Sequence, residues 1–592
     1  MAWIGGARRD DAEAGDWGGD ETIELTAAPL HRSRPLGETA ALVLVLVAAL
    51  LPYLNSLAGE FVFDDIALVL QNPNRTPGMG LFDWFTRVTA PGPVYRPLPM
   101  VTFALNAMYG ASPVGYHVVN VALHVAASAA AFDLGLLLAG STSVALLAGL
   151  LFAVHPVHTE AVSNIAGRPE ILAGLFSLLA LSSFVRARRE GATWLWDAVA
   201  CVALAAGMFS KENAFTVLPL LVLVYAWIRP ADRHWLVLAP YVVVAAACLA
   251  VRHAVVGSLV LAALPPHIDN PLAHVSTLER LRTAAVILQD YLAVLALPMR
   301  LSADEGFNQV PVVESWGDPR FLAAMAVLGA VAAGIYVAVR KRRGVVVVGA
   351  LFGAIALSLT ANVLFPIGTN KAERLLYLPS FGWCLAIGWL AATWAEESRA
   401  RLRVVVVVLL LFAARTCVRN LDWRTNFTFF TATAEASPGS ARANKNAGSV
   451  YAMTGNWEAA REHYARALDI DPTYALAALG LGGVAAAQGA AREAATWYAK
   501  AATLDPTLVV AHLYLGQTLL QTGDLRGAEA AYRTGVAASP GEPQLVLGFL
   551  GARAAQDDAE ARRLAEDMQR LRPGSPEMAD AVAKARLRYT LP

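Results

Sequence analysis

Two aspartates stand side by side at Asp64 and Asp65, in the stretch FVFDD a few residues after the first long apolar run of the chain. A carboxylate at the edge of an apolar environment is suited to accept a proton from a hydroxyl while that hydroxyl attacks. The same pair could instead end one helix and cap the next. Cationic side chains recur at Arg168, Lys211, Lys371 and Arg374, each in a short polar stretch between apolar runs. Such cations could hold a departing phosphate, and arginine does this best because its planar fork bonds two oxygens at once. Lys211–Glu212 and Glu373–Arg374 could equally be structural ion pairs at helix ends. Arg96, His117, His155, His158, Glu160, Glu212 and Glu373 share these stretches and are candidate substrate contacts. His155 and His158 have the His-x-x-His spacing that, with Glu160, could take a divalent metal, or the pair could shape a loop or bind substrate. His117, Asn120 and His124 share a helical face, where interhelical hydrogen bonding is the plainer role.

The elements that position these groups follow from composition. Hydrophobic residues make up 56 % of the 592 residues, charged residues only 16 %, and the formal net charge is zero. A soluble domain averages about 25 % charged residues, so much of the chain is built for lipid. The balanced charge argues against nucleic acid as a partner. Cys201, Cys248, Cys384 and Cys417 show no metal-ligand or disulfide spacing and read as inert thiols. The sequence holds no Walker loop, dinucleotide fingerprint or nucleophile elbow, which argues against direct use of ATP. No cofactor motif is present, and a divalent metal stays an open alternative.

A membrane-crossing helix needs about 20 apolar residues. Runs that qualify, or nearly so, lie near 39–57, 115–138, 142–157, 165–186, 192–209, 213–229, 234–252, 280–298, 320–339, 344–364, 374–394 and 403–418. Residues 1–37 are acidic and too long for a signal peptide, and they read as a disordered cytoplasmic tail with Arg32 and Arg34 holding that end inside. Basic clusters at Arg186–Arg189, Arg229 with Arg233, Arg340–Arg343 and Arg399–Arg403 mark cytoplasmic loops. The loops 58–114, 155–170, 209–214, 253–319 and 362–375, and everything after 418, then face outward. The run 280–298 would have both ends outside, and with Gln289 and Asp290 at its centre it is expected not to cross, which leaves eleven crossings.

Beyond residue 430 the chain repeats every 34 residues. Tyr464, Tyr498 and Tyr532 keep that spacing, as do Pro438, Pro472, Pro506 and Pro540, and the turn glycines Gly455, Gly489 and Gly523. This is the tetratricopeptide pattern of helix–turn–helix units. Three full units span 441–542, with a half unit before them and a degenerate cap over 543–592. Such a stack offers a groove for a peptide or protein, or serves only as a rigid spacer. The expected architecture is therefore all-α: a tail over 1–37, a membrane bundle of about 11–12 segments over 38–418, and a repeat domain over 419–592.

The motifs FVFDD, YRPLPMVTFALN, GYHVVNVALH, HPVHTEAVSNIAGR, FSKEN, DNPLAHVSTLERLRTAAVILQDYLAVLALPMRLSAD and KAERLLYLPSFG occur in this order before the repeats. In this the chain resembles the transmembrane and tetratricopeptide-repeat O-mannosyltransferases, a branch of the GT-C membrane glycosyltransferases. The resemblance implies a GT-C bundle with its active site at the outer membrane face. It implies a donor sugar, mannose, on a polyprenyl or dolichyl monophosphate, a serine or threonine hydroxyl as acceptor, and inversion at the anomeric carbon. The family's catalytic carboxylate maps to the FDD pair, with Asp64 favoured over Asp65. Two departures stand out: Asp304–Glu305 where relatives have an acid followed by tyrosine, and Lys371 where many have histidine or valine. The Ala, Arg and Val richness suggests a GC-rich bacterial genome, with an inner-membrane location and a periplasmic repeat domain. Two other classes fit the same features: a non-catalytic membrane-anchored scaffold, and a glycosyltransferase or ligase acting on a glycan.

Overall fold

The computed structural model describes residues 37–72, 79–80, 82–88, 94–110, 112–189, 193–228, 234–258 and 264–592. The expected N-terminal tail, and Arg229 and Arg233, lie outside these. Among the described residues every regular element is helical and no strand occurs. Each of the twelve apolar runs contains a helix.

Among the described residues, fewer helices qualify as full-length spans by length and composition than the run count implies. Six are long and apolar enough: Glu38–Ala58, Pro113–Ala139, Ile165–Arg189, Trp235–Val256, Pro319–Arg340 and Arg399–Asp422. A seventh follows if Thr142–Val154 and Pro156–Val162, bent by 47°, form one span. Beside the eleven crossings expected, the described residues also hold shorter apolar helices at Trp194–Met208, Glu212–Ile228 and Gly344–Leu357. The polar FSKEN stretch ends one helix at Met208, and Gly344–Leu357 stops after 14 residues. At 1.5 Å per residue such a helix covers only about two-thirds of a 30 Å hydrocarbon core. Thr277–Ala296 is not among the candidate spans; it packs on the helix Pro319–Arg340 and bonds loop residues toward both ends. Arg282 donates to the Val313 carbonyl at 3.1 Å, and the Leu295 carbonyl bonds His155 at 3.0 Å.

Small residues let the membrane helices approach closely. A Cβ at Gly388 would stand 2.8 Å from the Ala148 backbone nitrogen, and one at Gly349 would stand 2.5 Å from the Gly382 carbonyl oxygen. At the end bearing the basic clusters, Arg188 pairs with Asp197 at 2.8 Å and Arg343 lies over the Trp389 ring at 5.6 Å.

The repeats form helix pairs: Ala441–Met453 with Trp457–Ile470, Ala475–Ala487 with Ala491–Leu504, and Val509–Gln521 with Leu525–Ala538. Gly455, Gly489 and Gly523 turn each pair at φ of 76°, 76° and 82°, where a side chain is disfavoured. Tyr464, Tyr498 and Tyr532 pack on Gly448, Gly482 and Gly516 of their partner helices. The segment read as a cap holds a fourth pair, Pro543–Ala554 with Ala559–Gln569, and a last helix, Pro576–Arg588. Asp557 takes the left-handed turn position here, at φ 66°, one period after Gly523. Aspartate tolerates that conformation, so the fold continues after the glycine signal is lost.

A Cβ at Gly482 would lie 2.5 Å from the Tyr498 ring, whereas one at Gly483 meets nothing within 4 Å. Gly482→Val is expected to destabilise the stack by ~1–3 kcal/mol through overpacking. In thermal unfolding of the full chain followed by tryptophan fluorescence, the repeat transition should fall by several degrees, while Gly483→Ala leaves it in place.

Candidate active site

Five interhelical loops and the head of the repeat stack meet at one end of the bundle. Asp65 of the first loop accepts from the Ala166 N–H at 2.6 Å. Glu160 pairs with Arg374. The Leu98 N–H donates to the Phe209 carbonyl at 3.2 Å, and Asn270 donates to Asn362 at 2.9 Å. Arg442 of the first full repeat holds Asp304 at 2.7 Å. The loops assigned to one side from arginine placement are thus the loops that touch.

The two aspartates have different surroundings. Asp65 is buried, and both its oxygens are committed, one to the Val62 N–H at 2.9 Å and the other to Ala166. Burial outweighs these bonds and pushes its carboxyl up to about 7. It fastens the turn. Asp64 is half-buried, with no hydrogen-bond or ion-pair partner among the described residues. Burial raises its pKa above the ordinary carboxylate value. The positive charges of Arg374, Arg442 and Lys211 work against that rise, and Asp304 adds to it. Phe63, just before it, has φ 57°, a strained conformation for a bulky residue.

Arg374 is the best placed of the cations. Its backbone N–H donates to Glu160 at 2.8 Å, and one guanidinium nitrogen bonds the other Glu160 oxygen. The remaining guanidinium nitrogens have no partner among the described residues, and the side chain is 23 % exposed. Lys211 bonds Glu170, which also accepts from Asn213 at 2.8 Å. Arg96 holds Glu212 at 2.8 Å, and Arg252 reaches the other oxygen at 3.1 Å.

Several expected contacts are not at the site. Arg168 is fully buried and spends its donors on Asn120 at 2.7 Å, Asn106 at 2.7 Å, Thr102 at 3.2 Å and the Tyr116 carbonyl at 3.0 Å. It ties the first loop to the helix Pro113–Ala139 and has no face left for a phosphate. His155 bonds the Leu295 carbonyl, His158 bonds Ser380 at 2.8 Å, and both are fully buried. With Glu160 turned to Arg374, the three do not converge as a metal-ligand set. His117 is buried against Gly59, where a Cβ would stand 3.0 Å from its Nε2. Glu373 is buried, accepts from the Ser302 N–H and lies 3.9 Å from Arg419. Burial pushes its carboxyl up to about 8. These residues shape the site without facing it. Lys371 pairs with Glu305 at 2.8 Å and Asp290 at 3.4 Å, so its charge is already answered. It lines a neighbouring cavity of about 450 Å³ with Asp290, Arg300, Glu305 and Gln309.

Glu170, Arg442 and Asn426 were not legible as site residues. Glu170 lies two residues beyond the HPVHTEAVSNIAGR motif, and Lys211, which it pairs with, is two helices further along the chain. Arg442 and Asn426 belong to the repeat domain, where the 34-residue pattern demands nothing of them.

Segments of the chain match family models along most of its length. Residues 97–256 match one described as dolichyl-phosphate-mannose-protein mannosyltransferase, and 266–332 match protein O-mannosyl-transferase TMTC, DUF1736. Residues 441–474 and 485–548 match tetratricopeptide repeats. Among curated proteins, the protein O-mannosyl-transferase F38B6.6 of Caenorhabditis elegans is 29 % identical over 75 % of this chain and 65 % of its own length. TMTC3 of Mus musculus is 29 % identical over 73 % of this chain and 51 % of its own. Over a shorter stretch, 28 % of this chain and 22 % of the relative, tmtc2 of Xenopus laevis is 40 % identical. The chain thus spans about half to two-thirds of the length of the first two relatives. A crystal structure of MamA superposes with a TM-score of 0.22 at 16 % identity, over 27 % of this chain and 86 % of that one.

Fold and matches together describe a helical membrane protein in which a membrane region, matched over 97–256 by a mannosyltransferase family model, is joined to a tetratricopeptide stack. The resemblance is to the TMTC-type protein O-mannosyltransferases, as the order of the motifs implies. These relatives are animal proteins, so they lend nothing to the bacterial origin read from composition.

Loss of Arg168 would strand two buried acceptors, on Asn120 and Tyr116, each costing about 1–3 kcal/mol, and two half-buried ones on Thr102 and Asn106. Arg168→Gln is therefore expected to reduce the monodisperse fraction of detergent-extracted protein in size-exclusion chromatography. Asp64→Asn, which removes no hydrogen bond, should leave that fraction at the wild-type level.

Proposed function

We propose that this chain is a membrane glycosyltransferase that moves mannose from a polyprenyl-type monophosphate carrier to serine or threonine hydroxyls of polypeptides, with inversion. The observation that carries the reading is Asp64: a half-buried carboxylate without a hydrogen-bond partner, whose strongest charged neighbour is a partly free arginine. The names of the relatives and the matched mannosyltransferase segment support the same chemistry.

The steps follow from that geometry. The acceptor hydroxyl approaches the anomeric carbon, and Asp64 takes its proton as the new C–O bond forms. The bond from the anomeric carbon to the phosphate oxygen breaks, and the electron pair leaves on the lipid phosphate. Arg374, oriented by Glu160, presents its unused N–H groups to that oxygen as the charge grows, and Lys211 adds a longer-range positive field. Attack and departure on opposite faces invert the centre. The repeat stack offers a groove for the acceptor polypeptide.

Asp64→Asn is expected to lower transfer by ~10²–10⁴-fold. Mass spectrometry of exported proteins from cells with the wild-type gene, the Asp64→Asn gene and no gene should show hexose on particular serines or threonines only in the first. Wild-type glycosylation in the Asp64→Asn cells overturns the assignment, and hexose found on glycan but never on protein redirects it to a glycan acceptor. The base acts ionised, and its pKa stands above that of an exposed aspartate. Transfer should therefore fall on acidification, with its acid limb at a higher pH than about 4, the exposed-aspartate value.

A further inference from the structure

The turn that carries Asp64 is held from two directions, and one of them is the repeat domain. The Glu60 N–H donates to the Arg424 carbonyl at 2.9 Å. The Phe63 N–H donates to the Asn426 side-chain carbonyl at 3.0 Å, and the Asn426 amide reaches back to the Phe61 carbonyl at 3.4 Å. Asn426 is the first residue of the helix Asn426–Ala436, which leads into the stack. The Phe63 ring packs 5.1 Å from Phe429 and 6.0 Å from Phe430 of that helix. A bulky residue keeps a left-handed conformation only where its surroundings over-determine it. Here three hydrogen bonds to the backbone of the turn and two aromatic contacts from the repeat side do so.

The first full repeat adds a charge. Arg442 grips Asp304 through two bonds of 2.7 Å and also pairs with Asp269. The neighbouring backbone is fastened to the same loop. The Gly439 N–H donates to Gln309 at 2.9 Å, the Ala441 N–H to the Phe307 carbonyl at 3.2 Å, and Ser437 bonds Ser302 at 2.6 Å. The groups whose charge faces Asp64 are Arg374, Arg442 and Lys211, opposed by Asp304 and Asp65.

Building on the reading of Asp64 as the base, we propose that the leading helices of the repeat stack are part of the catalytic apparatus: Asn426 and Arg442 are positioning residues that aim Asp64 and neutralise the acidic neighbour beside it. A docking platform for the acceptor would need neither contact. Arg442 removes the repulsion of Asp304 and adds its own attraction, and both favour ionised Asp64. Loss of Arg442 therefore raises the Asp64 pKa.

The test uses the full chain in lipid nanodiscs, with polyprenyl-phosphate mannose as donor and the acceptor peptide recovered by the mass-spectrometric comparison. Asn426→Ala should speed hydrogen exchange in the peptide covering residues 60–66 and lower kcat at least tenfold, with the acceptor KM little changed. Arg442→Gln should move the acid limb of the pH–rate profile to higher pH, and Arg442→Lys should keep it near the wild-type position. A raised acceptor KM with unaltered kcat and an unmoved acid limb overturns the proposal and leaves the stack as a dock. The hydrogen-exchange arm needs no turnover: unchanged exchange at 60–66 in Asn426→Ala overturns the coupling even if Asp64→Asn proves fully active, a result that would sink only the base assignment.

Discussion

The Glu160–Arg374 pair is the interaction on which the rest of the site depends. Glu160 has no exposed surface, and a lone carboxylate so placed would cost several kcal/mol. Arg374 answers it with a backbone N–H and a guanidinium nitrogen, which fixes both the short helix Glu373–Leu376 and the direction of the arginine fork. Because one side of that fork is tied down, the other side is aimed. The pair also joins two loops that are over 200 residues apart in sequence.

Much of the architecture was legible because its signals are periodic or cumulative. Twelve apolar runs became twelve helices, and the 34-residue spacing marked every hairpin turn as far as Gly523. Helix lengths were less legible, since an apolar run records composition and says little about where polar residues will break a helix. The site was legible in outline: Asp64, Asp65, Lys211, Glu160 and Arg374 do gather at one end. Their roles were not. Arg168 and Glu373 have the same chemistry as Arg374 and Glu212, and only the acceptors around each show which are consumed by the fold. Histidines at 155 and 158 have metal-like spacing, yet the bend between their two short helices sends the rings to different partners.

The two departures from the family pattern find each other. Glu305 and Lys371, the two residues at which the sequence departs from the expected pattern, meet at 2.8 Å in a nearly closed environment. Burial raises the Glu305 carboxyl, and Lys371 counteracts this. Glu305 without Lys371 would be a buried carboxylate with no cation beside it, whereas Lys371 also has Asp290 at 3.4 Å. Asp304 is answered in the same way, by an arginine from a different domain.

The 14-residue helix Gly344–Leu357 carries a consequence for the lipid around it. A rod about 20 Å long cannot match a hydrocarbon slab of about 30 Å, so the leaflet beside it must pinch inward or admit water. The loop that carries Arg374 follows this helix in the chain, so a headgroup plane drawn inward beside the helix lies closer to that loop. Under the proposed reading, a carrier whose phosphate rides in that plane would meet Arg374 while its isoprenoid tail stays dissolved in the acyl chains, with no need to lift the donor out of the membrane.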